Sequence, residues 1–161
     1  MQLATAVRRA TAADAPALAD LVNRAYALEA FFAEGPRTNA GEIAQMLERG
    51  TFLVLEYDGG LAGAVWVEPR GYFGMLSVAP EVRGHGLGTR LVRIAEAMCE
   101  ALGCAAIDLK IVNVREELGR WYRSLGYHEV GTAPYTARPV KMPVHFVLMR
   151  KPLRSVTAAA A

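Results

Sequence analysis

The chain has 161 residues, of which 53% are hydrophobic and 21% are charged. This length suits a single domain, and the composition supplies enough apolar surface for a buried core, which excludes intrinsic disorder. Eighteen lysines and arginines against sixteen aspartates and glutamates give a formal net charge of +2, which is too small for whole-surface binding of nucleic acid, so we expect no nucleic-acid partner.

The first third of the chain predicts a short strand and two helices. The strand covers 4–9, and Thr11 or Asp14 caps a helix that carries an apolar stripe along one face. Pro16 favours Asp14 as the cap because the proline then falls in the first turn. The segment 31–37, which contains two phenylalanines, a glycine and a proline, ends the helical pattern and is a candidate binding loop. Asn39 and Glu42 then form a capping box, which predicts a second helix up to a terminal glycine.

The middle of the chain predicts three consecutive antiparallel strands. Residues 51–57 are β-branched and aromatic, and the turn sequence at 58–60 joins them to a second strand at 61–67. Pro69 ends that strand, and residues 72–78 form the third. Strands that follow one another this closely pair as a meander.

The second half predicts two helices and three strands. They are a helix from Leu87 to Gly103, a strand at 105–112, a helix at 116–124 and strands at 127–131 and 144–149. The fold class is therefore α+β, with a central mixed, mostly antiparallel sheet of about seven strands flanked by about four helices. We expect a single domain over 1–153 and a flexible, alanine-rich tail over 154–161.

The cysteines and the distribution of apolar residues indicate a cellular compartment. Cys99 and Cys104 flank Leu102-Gly103 at a predicted helix end, so they do not indicate a disulfide framework and fit a reducing environment. Nowhere do about 18 apolar residues run together, and the first residues lack the apolar stretch of a signal peptide. We therefore expect a cytoplasmic protein without a membrane partner.

The segment Val82–Thr89, between the third meander strand and the next helix, contains three alternating glycines. Glycines let an anion approach the backbone, and the N–H groups at a helix start have no partner within the helix, so that with the helix dipole they favour phosphate. Arg83 and Arg90 add positive charge. The same pattern is equally typical of a plain glycine-rich turn, and the context must decide between the two.

Two well-known phosphate-binding patterns fit this segment less well. A P-loop needs a lysine before the hydroxyl residue, and Gly88-Thr89 has none. A dinucleotide fingerprint needs Gly-x-Gly-x-x-Gly directly after a strand of a βαβ unit, whereas Gly84, Gly86 and Gly88 are evenly spaced and follow a meander. Dinucleotide binding stays a distant alternative. It is supported by Asp108, which follows the glycines at a sequence spacing suitable for a residue that contacts the ribose.

Two motifs together resemble the GNAT superfamily of N-acetyltransferases. The stretch Arg83–Gly88 matches the signature Arg/Gln-x-x-Gly-x-Gly/Ala and follows a hydrophobic strand and proline at Leu76–Pro80. Downstream, Asn113 at a strand end resembles an asparagine of the family. The stretch Trp121–Tyr127 resembles the family motif Phe/Tyr-Tyr-x-x-x-Gly-Phe/Tyr. The order of elements is also that of the family. The resemblance therefore covers nearly the whole chain and implies the acyl-CoA N-acyltransferase fold.

The resemblance implies binding of acetyl-coenzyme A. Its pyrophosphate would lie on the N–H groups of the glycine segment, and its pantetheine arm would follow the third meander strand through a V-shaped gap in the sheet. A backbone N–H near Val78 would polarise the thioester carbonyl. Asn113 would hydrogen-bond to pantetheine or to the following helix, or would instead cap that helix. The residues implied in coenzyme binding are Leu76, Ser77, Val78, Arg83, Gly84, His85, Gly86, Leu87, Gly88, Thr89 and Asn113.

The resemblance also implies transfer of the acetyl group to a primary amine, directly in a ternary complex. Tyr122 would protonate the departing coenzyme A thiolate, although its place on an apolar helix face also suits a core residue. No residue is marked as the base that deprotonates the amine. The candidates are Glu68, Glu29 and His145, or a water chain that leads to one of them.

The acceptor is expected to enter opposite the coenzyme, over the interrupted helix and the last two strands. The residues expected to line its pocket are Phe31, Phe32, Arg37, Tyr72 and His145, together with Glu29. Phe31 and Phe32 are equally suited to a core. We expect a small-molecule or peptide amine as the partner and, if the protein oligomerises, a homodimer. No residue is assigned to a metal.

The same fold without catalysis gives the main alternative, an acyl-coenzyme A binding or sensing module. Tyr122 and an open acceptor groove favour the enzyme. An assay of thiol release against a panel of amines distinguishes the two functions.

Overall fold

The computed structural model describes residues 3–154, which form four α-helices and a seven-stranded sheet. The helices are α1 (Ala15–Ala25), α2 (Ala40–Arg49), α3 (Leu87–Ala101) and α4 (Glu116–Ser124). The strands are β1 (Ala6–Arg9), β2 (Thr51–Tyr57), β3 (Gly60–Glu68), β4 (Tyr72–Val78), β5 (Ala106–Val112), β6 (His128–Pro134) and β7 (His145–Pro152). The predicted α+β class is confirmed.

The strand order is β1-β2-β3-β4-β5-β7-β6, and all neighbours are antiparallel except β4 and β5. Short turns connect β2, β3 and β4, as in the predicted meander. Between β4 and β5 the chain crosses through α3, and a crossover of this kind brings the second strand back parallel to the first. The sheet is therefore mixed, and its single parallel pair lies at its centre.

The parallel pair of β4 and β5 meets at one end only. Tyr72 pairs with Asp108, whose N–H donates to the Gly71 carbonyl at 2.8 Å, and no further pair joins these strands within residues 3–154. Gly71 has a φ of +98°, and a Cβ there would lie 2.4 Å from the Ala106 carbonyl oxygen, so only glycine fits where the strands meet. β5 pairs instead with β7 along its whole length. The two strands consequently part in a V.

A β-bulge bends β4 beyond the closed end of the V. The register between β3 and β4 shifts between Ala64 and Trp66, and Met75 has a φ of +54°. An extra residue in one strand bends that strand and increases its twist. The buried Ser77 hydroxyl donates to the Met75 carbonyl at 3.0 Å, which spans the bulge. The bend therefore lies in the part of β4 that has left β5.

The main core packs the helices α1, α2 and α3 against the central strands. Phe52, Phe73, Leu91 and Ile107 are all less than 2% exposed in this core. A run of six consecutive buried positions in β3 indicates that helices or loops cover both of its faces. A smaller cluster, made of Phe32, Ala33, Val112 and Phe146, lies beside the outer half of β5. These two cores hold the two arms of the V apart.

The predicted elements are present, and their ends differ where tertiary contacts extend them. A 3-10 helix at Tyr26–Phe31 continues α1 into the predicted break. β6 extends to Pro134 because it pairs with β7, and β7 extends to Pro152 because it pairs with β5. Within 3–154 no helix has the length and apolar character needed to cross a membrane. The predicted tail falls outside the described residues from position 155 onward.

Candidate functional site

A cavity of about 250 Å³, here called the central cavity, opens where β4 and β5 separate. α4, the 3-10 helix after α1 and the start of α3 complete its wall. The lining residues that matter below are Tyr26, Glu29, Arg37, Tyr72, Leu76, Val78, Arg83, Gly88, Lys110, Arg115, Trp121 and Tyr122. No described strand pairs with β4 along this edge, so its backbone groups can bind an extended ligand as a further strand would.

The glycine segment brings the start of α3 to the central cavity. Gly84 and Gly86 have φ of +84° and +75°, and Gly86 is the N-cap of α3 without a side-chain cap. The first N–H groups of α3 thus have no capping side chain among residues 3–154, and such groups bind anions. Gly88 lines the cavity, and a Cβ there would lie 3.5 Å from the Trp121 ring. A larger side chain at 88 would displace Trp121.

Four further residues of the glycine segment line a separate cavity, of about 550 Å³, beside the N-terminal residues. Those residues are His85, Gly86, Leu87 and Thr89, and Leu3 to Thr5 and Arg90 complete the lining. The Arg90 guanidinium donates to the Thr5 hydroxyl. Arg83 donates to the Ala25 carbonyl at 3.2 Å and lines the central cavity instead. The predicted phosphate-binding residues therefore surround the start of α3 from two sides.

Tyr122 combines a buried ring with a hydroxyl at the central cavity. It is 5% exposed, and its ring packs against Trp121, Phe73 and Tyr127. The hydroxyl makes no hydrogen bond within 3–154, yet no fully buried side-chain oxygen or nitrogen of these residues lacks a partner, so it must reach the open space of the cavity. Burial raises its pKa, so the hydroxyl keeps its proton at neutral pH.

Two further tyrosines, Tyr26 and Tyr72, line the same cavity. Burial raises the pKa of Tyr26 to about 12, and burial next to Tyr26 raises the pKa of Tyr72 as well. All three phenols are therefore neutral at physiological pH and can donate hydrogen bonds. The central cavity offers neutral donors near the point where the strands separate.

A second cavity, of about 480 Å³ and here called the α2-side cavity, meets the central cavity near the closed end of the V, where β4 and β5 begin to separate. The two share the lining residues Arg37, Tyr72, Gly74, Met75, Lys110 and Phe146. Glu68, at the end of β3 and paired in register with Tyr72, lines only the α2-side cavity and makes no ion pair among the described residues. Two ligands that enter from different sides can therefore meet beside Tyr72.

The structure disagrees with the prediction of Glu29 as a base. Glu29 is 4% exposed, and its carboxylate oxygens accept from Arg115 at 3.1 Å and from Arg138 at 2.9 Å. Since each oxygen is bound by a guanidinium, the carboxylate is not available to take a proton from an amine. Glu29 instead joins the 3-10 helix to the residue before α4 and to the segment between β6 and β7.

Phe31, Phe32 and His145 line neither of the two cavities, whereas Glu29 lines the central one. Phe32 is fully buried in the smaller core cluster, whereas Phe31 is 55% exposed and packs edge-on against it. His145 is exposed at the start of β7, and its backbone N–H donates to the Asn113 side chain at 2.9 Å. Asn113 thus joins β5 to β7 and does not cap α4, whose N-cap is Arg115. Of the predicted acceptor residues, Arg37 and Tyr72 line the α2-side cavity.

Four residues of the site and its surroundings were not predicted from the sequence: Lys110, Arg115, Arg138 and Trp121. Lys110 interrupts the apolar run of β5, which was a signal that it faces a ligand or solvent. Its ammonium lies 4.5 Å from the centroid of the Phe146 ring. Although the residue is exposed overall, partial burial of this group and the charge of nearby Arg37 lower its pKa. Arg115 and Arg138 acquire their role only through Glu29, which is distant in sequence.

Comparison with known proteins supports one family and one fold. Residues 48–129 match the family model described as an acetyltransferase (GNAT) domain. No curated protein matches the sequence significantly.

Solved structures that resemble the chain include three N-acetyltransferases or acetyltransferases. The ribosomal-protein-S18-alanine N-acetyltransferase from Escherichia coli is 19% identical, with 95% of this chain and 96% of that chain covered and a TM-score of 0.76. The ribosomal-protein-alanine N-acetyltransferase from Brucella melitensis is 24% identical, with 92% and 99% covered and a TM-score of 0.74. A phosphinothricin acetyltransferase from Sinorhizobium meliloti, in complex with acetyl-CoA, is 18% identical, with 95% and 91% covered and a TM-score of 0.74. At these identities the likeness establishes the fold.

Proposed function

The chain belongs to the GNAT acetyltransferase family, whose acyl donor is acetyl-coenzyme A, and from that premise we propose that it acetylates a primary amine. The amine belongs to a small molecule or a peptide, and the acetyl group moves directly between the two ligands in a ternary complex. The observation that supports this is the meeting of the central and α2-side cavities where β4 and β5 begin to separate. Direct transfer needs two ligands held at one point from two sides.

The coenzyme would enter through the central cavity. The uncapped N–H groups at the start of α3 would hold the pyrophosphate, with Arg83 nearby as a positive charge. Leu76 and Val78 line the cavity on the free edge of β4, where backbone groups would pair with the amides of the pantetheine arm. A backbone N–H in the bent part of β4 would then donate to the thioester carbonyl oxygen.

Tyr122 would act as the general acid. As the amine nitrogen bonds to the carbonyl carbon, the carbon–sulfur bond breaks, and the Tyr122 hydroxyl gives its proton to the sulfur that leaves. Its raised pKa keeps this proton in place until the thiolate forms. A hydroxyl without another partner at a cavity suits this role better than a core role, in which it would normally be hydrogen-bonded.

Glu68 would act as the base, directly or through a water molecule. It is the carboxylate among the predicted bases that lines the α2-side cavity without a bound cation, and it lies beside Tyr72 at the meeting point of the cavities. It would take the proton that the ammonium form of the acceptor loses before attack. The neutral amine then attacks the thioester, and the second proton that its nitrogen loses as the amide forms passes through solvent to the Tyr122 phenolate, which restores the acid.

Thiol release from acetyl-coenzyme A with a panel of primary amines tests this function. The panel contains monoamines, a polyamine, amino acids and short peptides with a free N-terminus. We expect amine-dependent release of coenzyme A and formation of the acetylated amine in equal amounts. Glu68→Gln should lower kcat about 100-fold or more, whereas Glu48→Gln, which removes an exposed carboxylate from α2, should not.

Two outcomes would contradict the proposal in different ways. Calorimetric binding of acetyl-coenzyme A without release by any amine would indicate a binding or sensing module on the same fold. Binding of NAD with no heat from coenzyme A would instead indicate a dinucleotide-binding protein.

A further inference from the structure

We infer that Arg37 and Lys110 form a subsite for a carboxylate on the acceptor, so that the preferred substrate is an amine that also carries a carboxylate, as an amino acid does. This inference rests on the proposed acetyl transfer and adds the chemical class of its acceptor. The two side chains come from different parts of the chain, the loop before α2 and the strand β5, and both line the central and the α2-side cavities.

The first observation is that neither cation has a hydrogen-bonded carboxylate partner among the described residues. Lys110 makes no ion pair within residues 3–154, and its ammonium lies over the ring of Phe146 at 4.5 Å. The side chain of Arg37 is 18% exposed, and its nearest carboxylate, that of Glu42, is 3.9 Å away, which is too long for a hydrogen bond. By contrast, the buried Arg115 and Arg138 both have Glu29 as a partner at hydrogen-bonding distance.

The second observation is that the two cations repel each other. Partial burial and the charge of nearby Arg37 lower the pKa of Lys110, so the two cations lie close enough for their charges to interact. Holding two like charges at one cavity costs free energy, and an anion bound between them removes that cost. A guanidinium also binds both oxygens of a carboxylate at once.

The anion belongs to the acceptor because the coenzyme has its phosphates elsewhere. Gly88 and Arg83, at the start of α3, line the central cavity only, and the α2-side cavity includes no residue of the glycine segment. The acetylated pantetheine end carries no negative charge. An anionic group between Arg37 and Lys110 therefore has to come with the second ligand.

The other charges of the α2-side cavity fix the orientation of this ligand. They are the carboxylates of Glu42 and Glu68 and the guanidinium of Arg49, which lies over the Trp66 ring at 5.8 Å. Glu68 attracts the amine to the start of β4, and the two shared cations attract the carboxylate. The cavity volume of about 480 Å³ holds a free amino acid. Met46, Trp66 and Phe146 line the remaining wall, so an apolar side chain would fit.

Matched pairs of acceptors test the inference. Each L-amino acid is compared with the amine that lacks only the carboxylate, for example L-phenylalanine with 2-phenylethylamine and L-leucine with 3-methylbutylamine. We expect kcat/KM to be about 10- to 100-fold higher for the amino acid of each pair, the usual range for hydrogen bonds to a charged group. A tripeptide with a free N-terminus, whose carboxylate lies farther from the amine, should react as poorly as the simple amines.

Variants then assign the preference to the two residues. Arg37→Gln and Lys110→Gln should each raise KM for the amino acid about 10- to 100-fold while kcat/KM for the matched amine and KM for acetyl-coenzyme A stay within about twofold. Arg37→Lys, which keeps the charge, should recover part of the loss. Arg9→Gln is the control because it removes the same charge from exposed β1, and it should change nothing. An unchanged KM for acetyl-coenzyme A also confirms that the variants are folded.

Failure of the carboxylate subsite and failure of the proposed acetyl transfer give different outcomes. Equal or faster acetylation of the amines without a carboxylate, or of the tripeptide, would overturn the carboxylate subsite and leave the acetyltransferase intact. A preference for amino acids that persists in both Gln variants would overturn the assignment to Arg37 and Lys110. No acetylation of any amine would overturn the proposed function, and the inference with it.

Discussion

Two neighbouring tyrosines differ in whether their hydroxyls have a hydrogen-bond partner: Tyr122 lies at the central cavity, and Tyr127 lies in a polar cluster next to it. Tyr122 and Tyr127 are 5% and 2% exposed, and their ring centroids are 5.7 Å apart. The Tyr127 hydroxyl donates to Glu96 at 2.8 Å, whereas the Tyr122 hydroxyl has no partner within 3–154 and reaches the cavity. Buried polar groups in a fold are normally hydrogen-bonded, so the exception marks a position where a ligand supplies the partner.

The cluster around Glu96 is complete in itself. Besides Tyr127, both Glu96 oxygens lie 3.2 Å from the Lys151 ammonium, and Arg93 donates to one of them at 2.9 Å. These contacts connect α3 to β7 and to the turn after α4. Polar groups with hydrogen-bond partners here hold the elements together, whereas those without partners line the cavities. Changes to the first should alter stability, and changes to the second should alter turnover or binding.

Tyr122→Phe should have the largest effect on turnover. The change removes one hydroxyl and keeps the ring against Trp121 and Phe73, so the packing is retained. If the hydroxyl protonates the thiolate, kcat should fall by about 10²- to 10⁴-fold with little change in affinity for acetyl-coenzyme A. Steady-state kinetics on an acceptor whose chemical step limits the rate measures this.

Wild-type turnover in folded Tyr122→Phe would contradict the difference in role between the two tyrosines. Tyr122 would then be a core residue like Tyr127, and water would protonate the thiolate. The melting temperature of the variant is the control, since an unpartnered hydroxyl contributes little to stability and its loss should leave that temperature nearly unchanged.

Gly86→Val should remove coenzyme binding, and Gly103→Val should not. Both glycines flank α3, with φ of +75° and +83°, and neither has any atom within 4 Å of where a Cβ would lie. Each substitution therefore carries a similar backbone strain of about 1–2 kcal/mol. Only Gly86 lies at the anion-binding end of the helix, so its variant should bind acetyl-coenzyme A about 100-fold or more weakly.

Thermal unfolding gives the measurement for this pair. At a hundredfold excess over its dissociation constant, acetyl-coenzyme A should stabilise the wild type and Gly103→Val by about 2.7 kcal/mol, and Gly86→Val far less. Equal stabilisation of both variants would mean that the glycine segment is only a turn.

Local signals in the sequence predicted the parts of the site that are local in the chain. The glycine segment and the Asn39 cap, which accepts from the Glu42 N–H at 2.9 Å, each lie within a few residues, so propensity and motif were sufficient. Glu29 reaches Arg115 and Arg138 across 86 and 109 positions, and no periodicity encodes such a pairing. For the same reason Glu29 was selected as a base on its charge alone.

Glu29→Gln should therefore destabilise the fold rather than remove a base. The amide keeps one acceptor oxygen but leaves one of the two buried guanidiniums without its partner, which should cost about 2 kcal/mol of unfolding free energy. Denaturant unfolding measures that loss. The pH dependence of kcat should keep its shape, because Glu68 still provides the base; a profile that loses its acidic limb in Glu29→Gln but not in Glu68→Gln would restore Glu29 to the reaction.

Tyr127→Phe should have the smallest effect of these changes, and it is the matched control for Tyr122→Phe. It removes the same atom as Tyr122→Phe from a ring of similar burial, but here the hydroxyl has Glu96 as an acceptor. Lysine and arginine still bind the carboxylate, so the lost hydrogen bond should lower the free energy of unfolding by about 1 kcal/mol. Because this hydroxyl lies outside both cavities, kcat and both KM values should stay within about twofold of the wild type. A turnover loss as large as that of Tyr122→Phe would show that the aromatic cluster as a whole positions α4, and that the cavity hydroxyl has no separate chemical role.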